Sequence, residues 1–150
     1  MTKDEFAARL KHACASVMAA EAELTEIDSK FGDADHGLTM AKIAGAISAA
    51  VDGADGGIQA MLDDAATAVM SLNGGSAVPL WNTWLDGMQE DAPEGEEIDV
   101  SGLQAIFARA LEELNDMSGA QVGDKTMMDA IIPASQAIAD YKGAVSYTHL

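Results

Sequence analysis

The sequence predicts an all-α domain, an antiparallel up-down helical barrel or bundle, and three observations carry that prediction. Apolar residues recur at three- and four-residue spacing along most of the chain. Sustained alternation of β-branched residues, which a strand would need, occurs nowhere. Short glycine-rich or acidic stretches separate the apolar stripes, as connectors between helices do. With 150 residues, 49% of them apolar, the chain is one domain's worth and carries enough apolar side chains for a proper core. Internal repeats are absent.

The elements follow in order. Thr2 and Glu5 have the spacing of a capping box ahead of a stripe of Phe6, Leu10, Cys14, Val17 and Met18. A second stretch carries Leu24, Ile27 and Phe31, and Asp28, four residues after Leu24, is expected to face inward with them. A third runs from about Leu38 through Met40, Ile43 and Ile47 to Val51 and stops at "DGADGG". A fourth spans Ile58 to Leu72 and ends at "NGGSAVP", residues 73–79. A shorter helix over "LWNTWLDGMQ" leads into the acidic linker "EDAPEGEEIDV". The next covers "SGLQAIFARALEEL", and after a glycine-bearing loop "GDKTMMDAIIPASQAIADY" supplies the last, where Pro133 predicts a kink or a late restart.

Charge narrows the function. Eight Lys and Arg face 25 Asp and Glu, a net charge of −17, so nucleic acid would be repelled. A phosphorylated ligand would need its charge neutralised by something other than side chains, and a divalent cation is the natural candidate. No apolar run is long enough to span a membrane, and no basic segment followed by an apolar one opens the chain, so a cytoplasmic location is expected. Cys14, the single cysteine, permits no intrachain disulfide and reads as a small core residue.

The chemistry concentrates in "FGDADHGLTM", residues 31–40, with Asp28 just upstream. Asp28, Asp33 and Asp35 offer only oxygen, which suits Mg²⁺ or Ca²⁺ better than zinc, and His36 alone does not change that. An EF-hand loop is excluded: counted from Asp33, its glycine would fall one place early at Gly37, and the closing glutamate position holds Ala44. Gly32 and Gly37 would let the backbone bend and a ligand approach, while the free N–H groups of the third helix favour an anion. Spacing alone leaves two readings open: a Mg²⁺ site with positions free for a phosphate, or Asp33 and Asp35 as caps of that helix with a solvated His36. "NGGSAVPLW" offers Gly74, Gly75 and the Ser76 hydroxyl at a turn, but it lacks the lysine and spacing of a Walker A loop and by itself reads first as a plain helix–helix connector.

Three segments in this order, "ELTEIDSKFGDADHGLTM", "NGGSAVPLW" and "GDKTMMDAIIPA", resemble the nucleotide-binding L subunit of dihydroxyacetone kinases, up to about Tyr141. The resemblance implies an up-down barrel of helices with the nucleotide at one end. It implies that Asp28, Asp33 and Asp35 hold two Mg²⁺ ions bridging the phosphates of ADP or ATP. It also implies that His36, Gly37, Leu38 and Thr39 touch the nucleotide, that Gly75, Ser76 and Ala77 form the phosphate loop, and that Gly119 and Met127 lie around the base. No residue would act covalently; transfer would rest on positioning and on the metals. The implied partner is a K subunit that holds dihydroxyacetone, with a phosphohistidine carrier recharging bound ADP in one branch of the family and free ATP serving in the other. Met1 directly ahead of the first helix fits a stand-alone subunit, and a homodimer is left open.

Two departures qualify the resemblance. Where the family reads Gly-Gly-x-Ser-Gly-Pro, this chain has Ala77 for the serine and Val78 for the second glycine. The lost hydroxyl is worth about 1 to 3 kcal/mol if a ligand oxygen goes unpaired, and Ser76 stands one place away to replace it. Val78 would resist a positive φ if the turn demanded one. The family's Gly-Arg-Ala-Ser-Tyr segment and Asp-Pro-Gly turn are missing, and the final "GAVSYTHL" resembles translated sequencing-adapter read-through. The expected organisation is therefore a truncated nucleotide-binding domain over 1–143 and a non-native tail over 144–150. The competing function is a helical module of the same family that binds metal without turnover; a ligand-free acidic bundle is the third reading.

Overall fold

The computed structural model describes residues 1–143, and the described chain is built from seven α-helices. They are α1 (Lys3–Ala19), α2 (Glu21–Asp28), α3 (His36–Gly53), α4 (Ile58–Met70), α5 (Ala77–Glu90), α6 (Val100–Ser118) and α7 (Met128–Ala139). Among the described residues there is no strand beyond an isolated antiparallel bridge between Thr2 and Glu97. The expected tail over 144–150 lies outside the described residues.

Every expected helix is present, with four differences that have local causes. The Thr2–Glu5 capping box forms as expected, the Glu5 N–H reaching the Thr2 hydroxyl at 3.2 Å and the Thr2 N–H the Glu5 carboxylate at 2.8 Å. The stripe assigned to α2 does not form a buried face: Ile27 is 53% and Phe31 98% exposed. The helix ends at Asp28, whose carbonyl takes the N–H groups of both Phe31 and Gly32, and this tight turn swings Phe31 off the helical register. α5 begins at Ala77, three residues earlier than expected. Pro79 sits in its first turn, where no N–H is owed to the helix, and Val78 is a buried helical residue, so no positive φ is asked of it. α6 gains length at both ends, from Asp99, which accepts the Gly102 N–H at 2.7 Å, to Gly119 at φ +64. α7 runs through Pro133 without a restart; the bond that proline forgoes belongs to the carbonyl of Asp129 in the first turn.

The chain runs up and down, which sorts the connections into two ends. At one end Lys3, at the start of α1, donates through its ammonium group to the carbonyls of Ala54 and Gly56 past the end of α3. The same end holds the acidic linker, where the Pro93 and Gly95 carbonyls accept the Gln59 and Ile58 N–H groups, each at 3.0 Å, and so cap α4. α5 and α6 are antiparallel: Gly87 lies against the Ala110 backbone, and nearer the other end the Thr83 hydroxyl meets the Met117 sulfur at 3.1 Å. α7 returns antiparallel to α6, its last carbonyls, those of Ile138 and Ala139, accepting from the Gln104 side chain. The turn 29–35, the loop 71–76 and the loop 119–127 are therefore all carried to the opposite end of the bundle.

The core runs between these ends. Ile43 of α3, Ile58 and Leu62 of α4, Leu85 of α5, Ile106 of α6 and Met128 of α7 are almost entirely removed from water. Trp84 and Phe107 meet edge to face at 5.7 Å between α5 and α6. Cys14 is buried as expected, and burial pushes its thiol pKa up, which keeps it protonated and inert. Beside this core α1, α3, α5, α6 and α7 line a half-open apolar cavity of about 390 Å³, with Cys14, Met40, Trp81, Trp84 and Phe107 among its walls.

Candidate functional site

The three aspartates converge. One carboxylate oxygen each from Asp28, Asp33 and Asp35 can be chosen so that all lie within 4.8 Å of one another. The turn achieves this with Ala34 at φ +63, a left-handed conformation that costs a non-glycine residue about 1 kcal/mol and places Asp33 and Asp35 together. A hydrogen bond to Asp33, reinforced by its charge and then by that of Asp28, holds the Asp35 carboxyl above the ordinary aspartate range. Carboxylates brought this close repel one another, and a cation between them would relieve the repulsion.

Asp28 also settles what caps α3. Its Oδ2 accepts the N–H groups of Asp35 at 3.2 Å and of His36 at 3.3 Å, whereas Asp35, at the N-cap position, makes no capping bond with its side chain. The cap role that the sequence left open for Asp33 and Asp35 thus falls to Asp28. The carboxylates of Asp33 and Asp35 stay exposed, and Asp28 still offers one carboxylate oxygen to the group. An all-oxygen donor set at the positive end of a helix fits a hard divalent cation together with an anionic ligand.

The four residues that open α3 divide by exposure. His36 and Leu38 face solvent, while Gly37 and Thr39 are buried. Gly37 is where α3 presses on α2: a Cβ there would overlap the Glu21 carbonyl and the Thr25 hydroxyl. Thr39 faces the other way, toward the glycine loop, so that a Cβ on Gly74 would stand 3.3 Å from the Thr39 methyl. The structure thus brings the acidic turn and the glycine loop side by side, although 34 residues separate Thr39 from Gly74 in sequence. Gly75 and Ser76 are exposed at the loop's tip, the Ser76 hydroxyl is not used as a cap, and Ala77 is half-buried in the first turn of α5.

Gly119 and Met127 bracket the third loop at this end. Gly119 closes α6 in the left-handed conformation, and Met127 is half-buried at the start of α7. Two residues that the sequence reading passed over organise the loop between them. Asp124 accepts the Gln121 N–H at 2.8 Å, and Asp129 accepts the Gly123 N–H at 2.6 Å and the Thr126 N–H at 2.9 Å. Those two bonds, Gly123 first, hold the Asp129 carboxyl below the ordinary aspartate range. Thr126 and Asp129 have capping-box spacing, a signal that was available in the sequence. Nothing in the sequence marked Ala34, since alanine gives no sign of a positive φ.

The surface around these loops is apolar in an unusual way. Met18, Ile27, Phe31, Leu38, Met70, Met117 and Val122 are seven of the eight large hydrophobic side chains exposed among the described residues, and all lie at this end. Tyr141, at the other end, is the eighth.

Comparison with known proteins bears on the same region. The DAK2 domain family model matches residues 30–149. The D-erythrulose kinase of Mycolicibacterium smegmatis is 34% identical over 137 residues, 87% of this chain and 23% of that protein. The ADP-binding subunit DhaL of the PEP-dependent dihydroxyacetone kinase of Escherichia coli is 28% identical over 130 residues, 83% of this chain and 60% of that subunit. The chain therefore spans about 60% of such a subunit and about a quarter of the longer kinase. The crystal structure of the dihydroxyacetone kinase from C. freundii in complex with AMP-PNP and Mg²⁺ superposes with a TM-score of 0.71 at 23% identity, covering 89% of this chain and 25% of that one, which establishes the helical fold.

Proposed function

The chain belongs to the DAK2 domain family, and from that premise we propose that it is the nucleotide-binding part of a kinase for dihydroxyacetone or a closely related small keto sugar. In this reading it holds ADP or ATP with two Mg²⁺ ions at the acidic end. The single observation that carries the proposal is the convergence of Asp28, Asp33 and Asp35 beside the start of α3 and the glycine loop. A DhaL subunit named ADP-binding and a structural neighbour holding AMP-PNP and Mg²⁺ support it.

Each group then has a task. Bound Mg²⁺ supplies charge neutralisation and a template for the phosphates. Asp33 and Asp35 hold the metals, while Asp28 serves both the metals and the α3 cap. The N–H groups at the start of α3 and the Ser76 hydroxyl donate to phosphate oxygens, and Ser76 replaces the hydroxyl that Ala77 lacks. His36 and Leu38 are the members of their segment exposed to a nucleotide, whereas Gly37 and Thr39 shape the site from behind. Gly75 gives backbone access at the loop tip; Gly119 and Met127 flank the base. No side chain is asked to react covalently, so the rate would come from positioning and electrostatics.

The acceptor sugar would sit on a separate K subunit, and the exposed hydrophobic rim around the acidic turn is the surface on which such a subunit would dock. Recharging of bound ADP by a phosphohistidine carrier, with the whole assembly in the cytoplasm, completes the reading. Among the described residues no helix is long and apolar enough to cross a membrane. Calorimetry of ADP binding with and without Mg²⁺, on this chain and on Asp33→Ala, tests the core of it. Magnesium-dependent binding that the substitution removes is expected; binding indifferent to both would overturn the metal reading. The second reading, a metal-binding module without turnover, is favoured by Ala77 in the phosphate loop. It predicts Mg²⁺ and ADP binding but no phosphoryl transfer when a K subunit and its sugar are added.

A further inference from the structure

We propose that Asp129 is a positioning residue for the nucleotide base, acting through the loop 119–127. This rests on the nucleotide reading above and names a residue that touches neither metal nor phosphate in it. The observation is a division of labour between the two carboxylate oxygens. Oδ2 accepts the Thr126 N–H at 2.9 Å, which is all that capping α7 would require. Oδ1 reaches back a further three residues to the Gly123 N–H at 2.6 Å, the shorter of the two bonds.

The second bond has no role in the helix and a clear one in the loop. It closes the loop between Gly123, at φ +103, and Thr126, with Lys125 held at φ +60 between them. Lys125 in that conformation is strained, so the turn would relax without an anchor. Asp124, bonded to the Gln121 N–H, fixes the other half. The Thr126 hydroxyl accepts the Met128 N–H at 3.2 Å, a bond that spans Met127 and joins the anchored turn to the first residue of α7. One carboxylate on a helix thus determines where a nine-residue loop stands, and the loop's two ends are Gly119 and Met127.

Positioning and mere stabilisation of α7 differ in what they do to ligands. Inorganic pyrophosphate with Mg²⁺ offers the phosphates without a base, whereas Mg–ADP offers both. The experiment compares the two ligands by calorimetry on the whole chain, on Asp129→Asn and on Asp129→Glu, with helicity and melting followed by circular dichroism. Asn keeps one acceptor and turns an NH₂ group toward one of the two N–H donors. The expected result for Asp129→Asn is a loss of about tenfold or more in Mg–ADP affinity with Mg–pyrophosphate affinity unchanged, and partial recovery in Asp129→Glu. Unchanged ADP affinity overturns the proposal, and so does an equal loss for both ligands, which would mark a general effect on the fold. Failure of the unsubstituted chain to bind Mg–ADP would overturn the nucleotide reading itself, and this inference with it. Should Asp129→Asn fail to fold, Asp129→Ser offers a single acceptor and no second oxygen for the Gly123 N–H, and the same two-ligand comparison decides.

Discussion

The two ends of the bundle are built to different rules. The end that holds Lys3, the 54–57 turn and the 93–99 linker is closed by hydrogen bonds between segments distant in sequence. The Lys3 Nζ covers two carbonyls past α3, linker carbonyls cap α4, and Thr2 pairs with Glu97. The opposite end has Ala34 and Lys125 in left-handed conformations, three converging carboxylates, and most of the exposed large hydrophobic side chains. One end ties its connections together through backbone carbonyls, and the other leaves a converging carboxylate cluster and apolar surface in view. The difference teaches where stability and function are divided: features that cost stability gather where a ligand and a partner would compensate for them.

Substitutions can break that division or sharpen it. The largest contrast sets Asp33→Ala against Gly57→Ala. Removing Asp33 should cost roughly a hundredfold in Mg²⁺ affinity, beyond what loss of an outer-shell group does, while thermal unfolding without metal stays put or rises. A Cβ at Gly57 would collide with the Glu94 and Gly95 carbonyls, so that variant should lose about 1 to 3 kcal/mol in urea unfolding with the Mg²⁺ affinity of the folded protein intact. If either variant moved both quantities strongly, the ends would not be independent.

Smaller effects refine the picture. Lys3→Met removes the donors to the Ala54 and Gly56 carbonyls and should cost about 1 kcal/mol, read by urea unfolding, with no change in ligand binding. Ala34→Gly should add up to about 1 kcal/mol of stability by relieving the positive φ, and weaken Mg²⁺ binding slightly because the unbound turn becomes looser. Acid should act alike on one carboxylate at each end. Asp99 at one end is held below the ordinary aspartate range by the Gly102 N–H and the Ser101 hydroxyl, and Asp129 at the other by the Gly123 and Thr126 N–H groups. Folded pKa values depressed below the unfolded ones mean stabilisation that is present above the ordinary aspartate range and is lost as pH falls through the folded values. Urea midpoints between pH 7 and pH 3 should fall, and Asp99→Asn and Asp129→Asn should each flatten part of that fall.

Periodicity made the helices legible, because a buried face imposes its spacing directly on the sequence. It failed at Phe31, where the spacing ran past the end of α2 into a turn whose geometry is set by the Asp28 carbonyl. The three aspartates were legible as a candidate group, but their sharing of labour was not. That Asp28 caps α3 while the Asp33 and Asp35 side chains do not goes with an alanine in a left-handed turn, a conformation that no residue type announced. Asp129 had a readable spacing to Thr126; the second bond to Gly123 had none, because it is fixed only once the loop has closed. The meeting of Thr39 with Gly74 needed the up-down path of α3 and α4 to bring two distant segments to one place.

Both tryptophans of the chain, Trp81 and Trp84, sit on α5 and line the same apolar cavity between α1 and α7. Intrinsic emission is therefore a local reporter. It will register wetting of that cavity, or an apolar molecule entering it, as a change in colour and intensity, and an acrylamide quencher will measure how far the walls open. Trp81 is also the fifth residue of α5, one turn beyond the glycine loop. A shift of that helix on ligand binding would thus be visible optically without any added label.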